Sequence, residues 1–396
     1  MLELIEQQLT SLTDAGLRRR RRVAATPCAA EVDVDGRAML AFCSNDYLGL
    51  AAHPQIRQAL QDGVNLYGAG SGASHLISGH TRAHAQLEDR LAEMLAPCID
   101  DVRALYLSTG YMANLAVLSG LAASDPGKTE IFSEQLNHAS LIDGARLARC
   151  PVKVFPHADL AALEIALQQS QARTKIVVTD SVFSMDGVIA PLTDMLALCE
   201  RYQAWLVVDD AHGFGVLGEH GAGVLEHLHL RSKKLIYMGT LGKAAGVAGA
   251  FIAAHASVIE WLIQKARAYI YTTAAPPALA HALLTSLNII TGTEGVQRRA
   301  HLAQLIGQFK HGIGDAPVGL RLLASDTQIQ PLVVGENQRA MQFAAQLFDA
   351  GLWVPAIRPP TVPAGTARLR VTLSAAHSSA QVAVLLQQIH NLKVVA

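Results

Sequence analysis

Aromatic residues are scarce in this chain, 5% of 396 positions, although apolar residues of all kinds make up 51%. Its core must therefore be built from small and branched side chains, which suits many helices packed closely on a sheet. An excess of charge of either sign is missing: 32 Lys and Arg stand against 33 Asp and Glu, a formal net charge of −1. No overall field draws such a chain to nucleic acid or to an anionic membrane surface. Cysteine is sparse, and Cys28, Cys43, Cys98, Cys150 and Cys199 are scattered without metal-ligand or redox spacing. An odd count argues against a disulfide framework and predicts a reducing, cytoplasmic setting. Long apolar runs are absent too. The longest, Ala244 to Ala254, is too short to cross a bilayer and reads as a buried strand. The opening MLELIEQQLTSLTDAGL has the spacing of an amphipathic helix and no signal-peptide core. No internal repeat appears, and no G-x-G-x-x-G opens a helix after the first strand, which sets aside a nicotinamide-binding enzyme.

What is present is a recurring unit: a short β-branched run, a polar or glycine-rich turn, then a helical pattern. Strands are predicted at 103–107, 129–132, 152–155, 175–179, 205–208, 234–238 and 249–253, with a helix over 111–122 after the first. Near-continuous apolar strands alternating with helices predict an α/β domain whose mostly parallel sheet is covered on both faces. Residues 276–307 read as a long helical connection. Beyond it lie strand candidates at 320–323, 329–334 and 368–373 and helices at 338–350 and 380–392. The expected division is an N-terminal helical arm over 1–47, a large α/β domain over 48–289 and a small C-terminal α+β domain over 290–396.

Ligands of such sheets sit beyond the carboxyl ends of the strands, and the chemically suggestive residues fall there. In WLVVDDAHG (205–213) an apolar strand ends in Asp209, with His212 three residues on. A carboxylate at the end of a buried strand is costly unless something cationic meets it. An isolated DxxH more often caps a turn, and no third ligand at convincing spacing points to a metal. In IYMGTLGKAAG (236–246), small residues surround Lys243 after another strand. They allow a flat ring to approach the amine and keep water away, which lowers an amine's pKa and favours Schiff-base formation. A pyridoxal cofactor needs both parts, a lysine to hold it and an acid to keep its pyridine nitrogen protonated. LSTGYM (107–112) offers free N–H groups at a helix start to a phosphate, a weak signal alone. His138 in NHAS (137–140) is by itself more often structural, but a ring-stacking partner is what such a site requires. Ser184, in VFSMDG (182–187), can offer a hydroxyl to the cofactor's phenolic oxygen.

These segments resemble the α-oxoamine synthases over nearly the whole chain. The resemblance is carried by SNDYLGLAAHP (44–54), GAGSGASHLISG (68–79), STGYMAN (108–114), NHASLIDG (137–144), SVFSMDG (181–187), VVDDAHGFGVLG (207–218), MGTLGKAAG (238–246) and PPTVPAGTARLRVTLSAAH (359–377). It implies the aspartate-aminotransferase-like fold (type I) and pyridoxal 5'-phosphate as cofactor. The implied reaction joins an amino acid to an acyl thioester with loss of carbon dioxide. Carried over, it makes Lys243 the Schiff-base lysine, Asp209 the pyridinium partner, His138 the stacking ring, and His212 and Ser184 the groups on the phenolic oxygen. Gly110, Tyr111 and Thr240 match the phosphate region, Asn45 and Arg370 the amino-acid carboxylate site, and Arg18 (or Arg19) and Thr361 the acyl contacts. Arg18 to Arg22 otherwise read as the solvated end of a helix. AIRPPTVP (356–363) and GASH (72–75) match the family pattern for L-alanine and a pimeloyl thioester, carried by coenzyme A or a carrier protein. Another acid or amino acid, or a pyridoxal-fold protein without turnover, is the alternative. A homodimer completed across the cleft by Tyr271 to Ala274 is also implied. Asp180, where relatives commonly carry Glu, and Val188, where Asp is usual, depart from the pattern and weaken any role for Asp180.

Overall fold

The computed structural model describes residues 1–314 and 319–394. Two compact units emerge. One comprises residues 50–184 and 189–297, and the other residues 1–49, 185–188 and 298–396.

In the larger unit, seven strands form one sheet, in spatial order Val102–Leu107, Ala250–His255, Leu235–Thr240, Trp205–Asp209, Thr174–Asp180, Thr129–Glu134 and Val152–Phe155. Only Ala250–His255 runs against its neighbours, and the remaining pairings are parallel. These are the seven strands legible in the sequence. Alternation divides the sheet into two faces. Leu105 and Leu107 join a buried cluster with Ala113, Val117 and Leu121 of the helix Gly110–Ala122, whereas Tyr106 lies against His84 of the helix Arg82–Leu95. A sheet covered on both faces leaves its edges of strand ends as the places where polar side chains can gather.

Asp180 and Asp209 are partners in register at the ends of neighbouring parallel strands, and Asp209 in turn faces Met238. Thr240 closes the next strand, and Lys243 follows in the turn after it. That turn is tight: Gly246 adopts φ +70°, and a Cβ there would stand 2.5 Å from the carbonyl carbon of Leu50. Only glycine fits both constraints.

In the smaller unit, Arg321–Leu322, Ile329–Gly335, Ala367–Thr372 and Ala356–Ile357 form an antiparallel sheet, accompanied by Asn337–Asp349 and Ser379–His390. A second sheet joins the hairpin Glu31–Val34 and Arg37–Ala41 to Leu352–Trp353. The N-terminal helix spans Leu2–Asp14 and buries none of its residues. The helical connection over 276–307 is two helices, Pro277–Thr291 and Thr293–Ile313, interrupted at Gly292. No described helix is long and apolar enough to cross a membrane.

Candidate active site

Within the larger unit, Asp209, His212, Lys243, Thr240, His138, Ser184 and Gly110 all lie at or just beyond the carboxyl ends of the parallel strands. Asp209 is almost completely buried. Its Oδ1 accepts the Ala211 N–H at 2.9 Å, and its Oδ2 accepts the Asn114 side-chain amide at 2.7 Å. Both donors are neutral, and among the described residues no Lys, Arg or His forms an ion pair with it. A buried carboxylate so held calls for a cation at the remaining side, the role a protonated pyridine nitrogen can fill.

Lys243 is half-buried, and its Nζ lies 2.9 Å from Nε2 of the buried His212. While Lys243 is an ammonium, which can only donate, Nε2 accepts and the imidazole proton sits on Nδ1. The pair links an amine to a base that can exchange its proton. The fields of Asp209 and Lys243 both reach His138 and Asp180, which ties the four into one electrostatic neighbourhood.

His138 is fixed by a chain that begins at Asp209. The two amide hydrogens of Asn114 go to Asp209 Oδ2 and, at 2.9 Å, to Ser140 Oγ. Because Ser140 accepts there, its own hydroxyl donates to His138 Nδ1 at 2.6 Å, reinforced by the Ser140 N–H at 3.3 Å. His138 thus carries its proton on Nε2, with its ring plane set as the N-cap of the helix Ala139–Leu147. The His138 backbone N–H donates to Asp180 Oδ2 at 2.7 Å. Asp180, discounted in the sequence, therefore has a positioning contact. Burial and the neighbouring charge of Asp209 raise its pKa well above the ordinary carboxylate value.

A further buried carboxylate supports the floor. Asp210 accepts the Tyr237 hydroxyl at 2.6 Å, the Val224 N–H at 2.8 Å and the Ser181 hydroxyl. Burial nevertheless pushes its pKa up to about 7. Gly213 and Gly223 leave the room, since a Cβ at either would meet an Asp210 side-chain oxygen at 2.1 Å. None of Asn114, Ser140, Asp180 or Asp210 stood out as a partner in the sequence; the double Asp209-Asp210 was the only visible hint.

Gly110 begins its helix behind Thr109, whose hydroxyl accepts the Met112 N–H at 3.2 Å. The first N–H groups of that helix have no partner within it and can meet an anion. At Gly110 a Cβ would find its nearest neighbour at 3.6 Å, so the turn stays open. The Thr240 hydroxyl donates to the Gly249 carbonyl at 3.2 Å and keeps lone pairs to accept with. Tyr111 is exposed, its hydroxyl directed to Asp143. Ser184 is half-buried, just after the strand ending at Asp180. The donor set suits a phosphorylated pyridine aldehyde: an amine, a buried acid for the ring nitrogen, a fixed imidazole and a helix start.

In the smaller unit, Arg370 is buried in the strand Ala367–Thr372. Its Nη1 and Nη2 each lie 3.4 Å from Asn45 Oδ1, and Nη1 donates to Thr372 Oγ1 at 3.0 Å. Asn45 is held by the Tyr47 hydroxyl at 3.0 Å. A buried guanidinium beside neutral oxygens is well made to receive a carboxylate. Arg358 donates to the Gly16 carbonyl, which brings the Thr361 segment beside the start of the arginine run. Arg18 is exposed and leans on Thr13 Oγ1 at 3.3 Å, and Thr361 is exposed.

Comparison with known proteins gives the family. The family model for class I and II aminotransferases matches residues 37–389. The 8-amino-7-oxononanoate synthase of Janthinobacterium sp. (strain Marseille) is 67% identical over 389 residues, covering 98% of each chain. Serine palmitoyltransferase of S. paucimobilis, solved with PLP and myriocin bound, superposes with a TM-score of 0.89 at 27% identity, over 98% of this chain and 96% of that one. The 8-amino-7-oxononanoate synthase of Francisella tularensis superposes with a TM-score of 0.74 at 30% identity, over 89% of this chain and 97% of that one.

Proposed function

This chain belongs to the class I and II aminotransferase family and, within it, to the α-oxoamine synthases, and from that membership we propose that it condenses L-alanine with a pimeloyl thioester, releasing carbon dioxide and forming 8-amino-7-oxononanoate, a step of biotin formation. Pyridoxal 5'-phosphate is its cofactor. The observation that carries this reading is the Lys243–His212 hydrogen bond of 2.9 Å at the strand ends that also hold the buried, cation-seeking Asp209. The pimeloyl assignment rests on the identity to curated synthases of that name.

Lys243 Nζ is the amine that holds the cofactor. Asp209 would meet the pyridine nitrogen and keep it protonated, with Asn114 and the Ala211 N–H fixing the carboxylate. His138 would stack on the ring, and His212 and Ser184 would hydrogen-bond the phenolic oxygen. The helix start at Gly110 and Tyr111, with the Thr240 hydroxyl, receives the phosphate. When bound, pyridoxal phosphate supplies an electron sink for negative charge at the alanine α-carbon. Lys243 Nζ would take the alanine Cα proton and could pass it to His212 Nε2, 2.9 Å away. Arg370 and Asn45 hold the alanine carboxylate, the group that later leaves as carbon dioxide. Arg18 and Thr361 meet the acyl substrate, whose carrier is coenzyme A or an acyl carrier protein.

We further propose a cytoplasmic homodimer in which Tyr271 to Ala274 serve the partner's cleft. Sedimentation should give twice the chain mass, and a fully active monomer would refute it. The activity is tested by mass spectrometry of products from alanine, glycine or serine offered with thioesters of graded acyl length. Alanine with pimeloyl thioester should dominate. Turnover of glycine with acetyl or succinyl thioester, and none with pimeloyl, would assign a sister reaction.

A further inference from the structure

The opposite edge of the large sheet carries a cavity of about 420 Å³. It opens at the amino ends of the strands Thr174–Asp180 and Trp205–Asp209, beside the carboxyl end of the antiparallel strand Ala250–His255. Trp205 begins the strand that Asp209 ends. Four residues of extended chain separate them, about 13 Å, so a molecule seated here does not reach the catalytic groups.

The cavity has an apolar body and a cationic rim. Leu121 and Ile176 belong to the buried core and floor it, and the half-buried indoles of Trp205 and Trp261 wall it. The Trp261 ring is fixed, since its Nε1 donates to the Gly120 carbonyl at 2.8 Å. Lys233, Lys234 and His255 stand at the mouth. Among the described residues, the Lys234 ammonium donates only to the neutral Gln203 amide oxygen, at 2.9 Å, and Lys233 has no hydrogen bond or ion pair. Of the acids nearby, Asp125 is paired with Arg173, and Glu200 accepts the neutral Ser232 hydroxyl and keeps its charge, one carboxylate against the two lysines. Asp101 lies 3.6 Å from the His255 ring. Unspent positive charge over rigid aromatic walls, at a volume typical of small-molecule sites, defines a ligand class.

We infer that this cavity binds an amphipathic organic anion, with an apolar or aromatic body between Trp205 and Trp261 and a carboxylate or sulfonate at Lys233 and Lys234. It is a second ligand site, remote from the one that carries the chemistry. The inference stands on this cavity alone and survives if the proposed substrate is wrong.

Anilinonaphthalenesulfonate is a suitable probe, because Trp205 and Trp261 are two of only three tryptophans in the chain. The test titrates the probe into holoenzyme carrying Trp353→Phe, so that tryptophan emission reports on the cavity. One saturable site per chain should quench that emission. Val258→Trp, which fills the cavity, should abolish the effect, and Lys233→Glu with Lys234→Glu should weaken binding by at least about tenfold. Neutral N-phenylnaphthylamine should bind at least about tenfold more weakly than the sulfonate, since it lacks the charge. Turnover should be unchanged in every variant, which also shows that each has folded. Equal probe affinity in the parent and both variants, or a neutral probe that binds as tightly as the anion, would overturn the inference.

Discussion

In the proposed reading the cofactor chemistry turns on Asp209, whose charge is buried and whose protein partners are neutral. Asp209→Asn keeps the size but removes the anion proposed to keep the ring nitrogen protonated. Turnover should fall at least about 100-fold, the scale of losing one preorganised electrostatic contact, while cofactor content, read from visible absorbance, stays near that of the parent. Near-normal exchange of the alanine α-proton in the variant would remove Asp209 from this role. Lys243, Asp209 and His212, which the structure brings to the same strand ends, stand out in the sequence because of their neighbours: small residues around the lysine, an apolar strand before the acid. Asn114, Ser140 and Asp180 were not. Asn114 lies on a helix 95 positions before Asp209 and meets it at 2.7 Å only once both elements pack on one sheet. Spacing along the chain carries no trace of such a contact.

Strands and helices of the large sheet were readable because apolar runs of five or six residues can be buried on both faces nowhere else. The hairpin Glu31–Val34 and Arg37–Ala41 was not read, since four and five residues are too short for its alternation to stand out. Two-residue strands such as Leu352–Trp353 and Ala356–Ile357 have no period to detect. The break at Gly292 passed unseen in a stretch that is helical on both sides. Asp210 joins several elements at once: its own turn, the segment at Val224, the strand bearing Tyr237 and the turn at Ser181. Its pKa is raised to about 7 by burial. Below the unfolded value near 3.8 both states hold the proton. As pH rises past that value, the unfolded chain loses the proton while the native state keeps it until about 7. Stability should therefore decline across this window, by at most about 1.4 kcal/mol per pH unit from this group. Glu88, likewise raised to about 7 by burial, adds to the same slope. The difference in melting temperature between parent and Asp210→Asn, followed from pH 4 to 7, isolates the Asp210 part. A difference that does not change with pH would show that Asp210 does not titrate there.

The larger unit, as described, holds the groups suited to a cofactor, and the smaller holds the buried Arg370–Asn45 pair and the Arg18 and Thr361 segments. If the two substrates are read by different groups, their binding should separate by mutation. Arg18→Ala should raise KM for pimeloyl thioester about tenfold, as expected for one lost hydrogen bond to a charged group, and leave alanine binding unchanged. An equal rise for alanine would contradict that division. The large sheet was legible because five of the motifs (108–114, 137–144, 181–187, 207–218 and 238–246) fall at its strand ends; which arginine would meet the acyl chain was not, because Arg18 is one of five consecutive arginines. The central claim is a decarboxylative condensation, and labelled carbon tests it most directly. Holoenzyme given alanine with ¹³C in its carboxylate and pimeloyl thioester should release labelled carbon dioxide and free thiol in equal amounts, with an unlabelled amino-ketone product that keeps the alanine methyl group. Product that retains the ¹³C label, or thiol released without carbon dioxide, would contradict it.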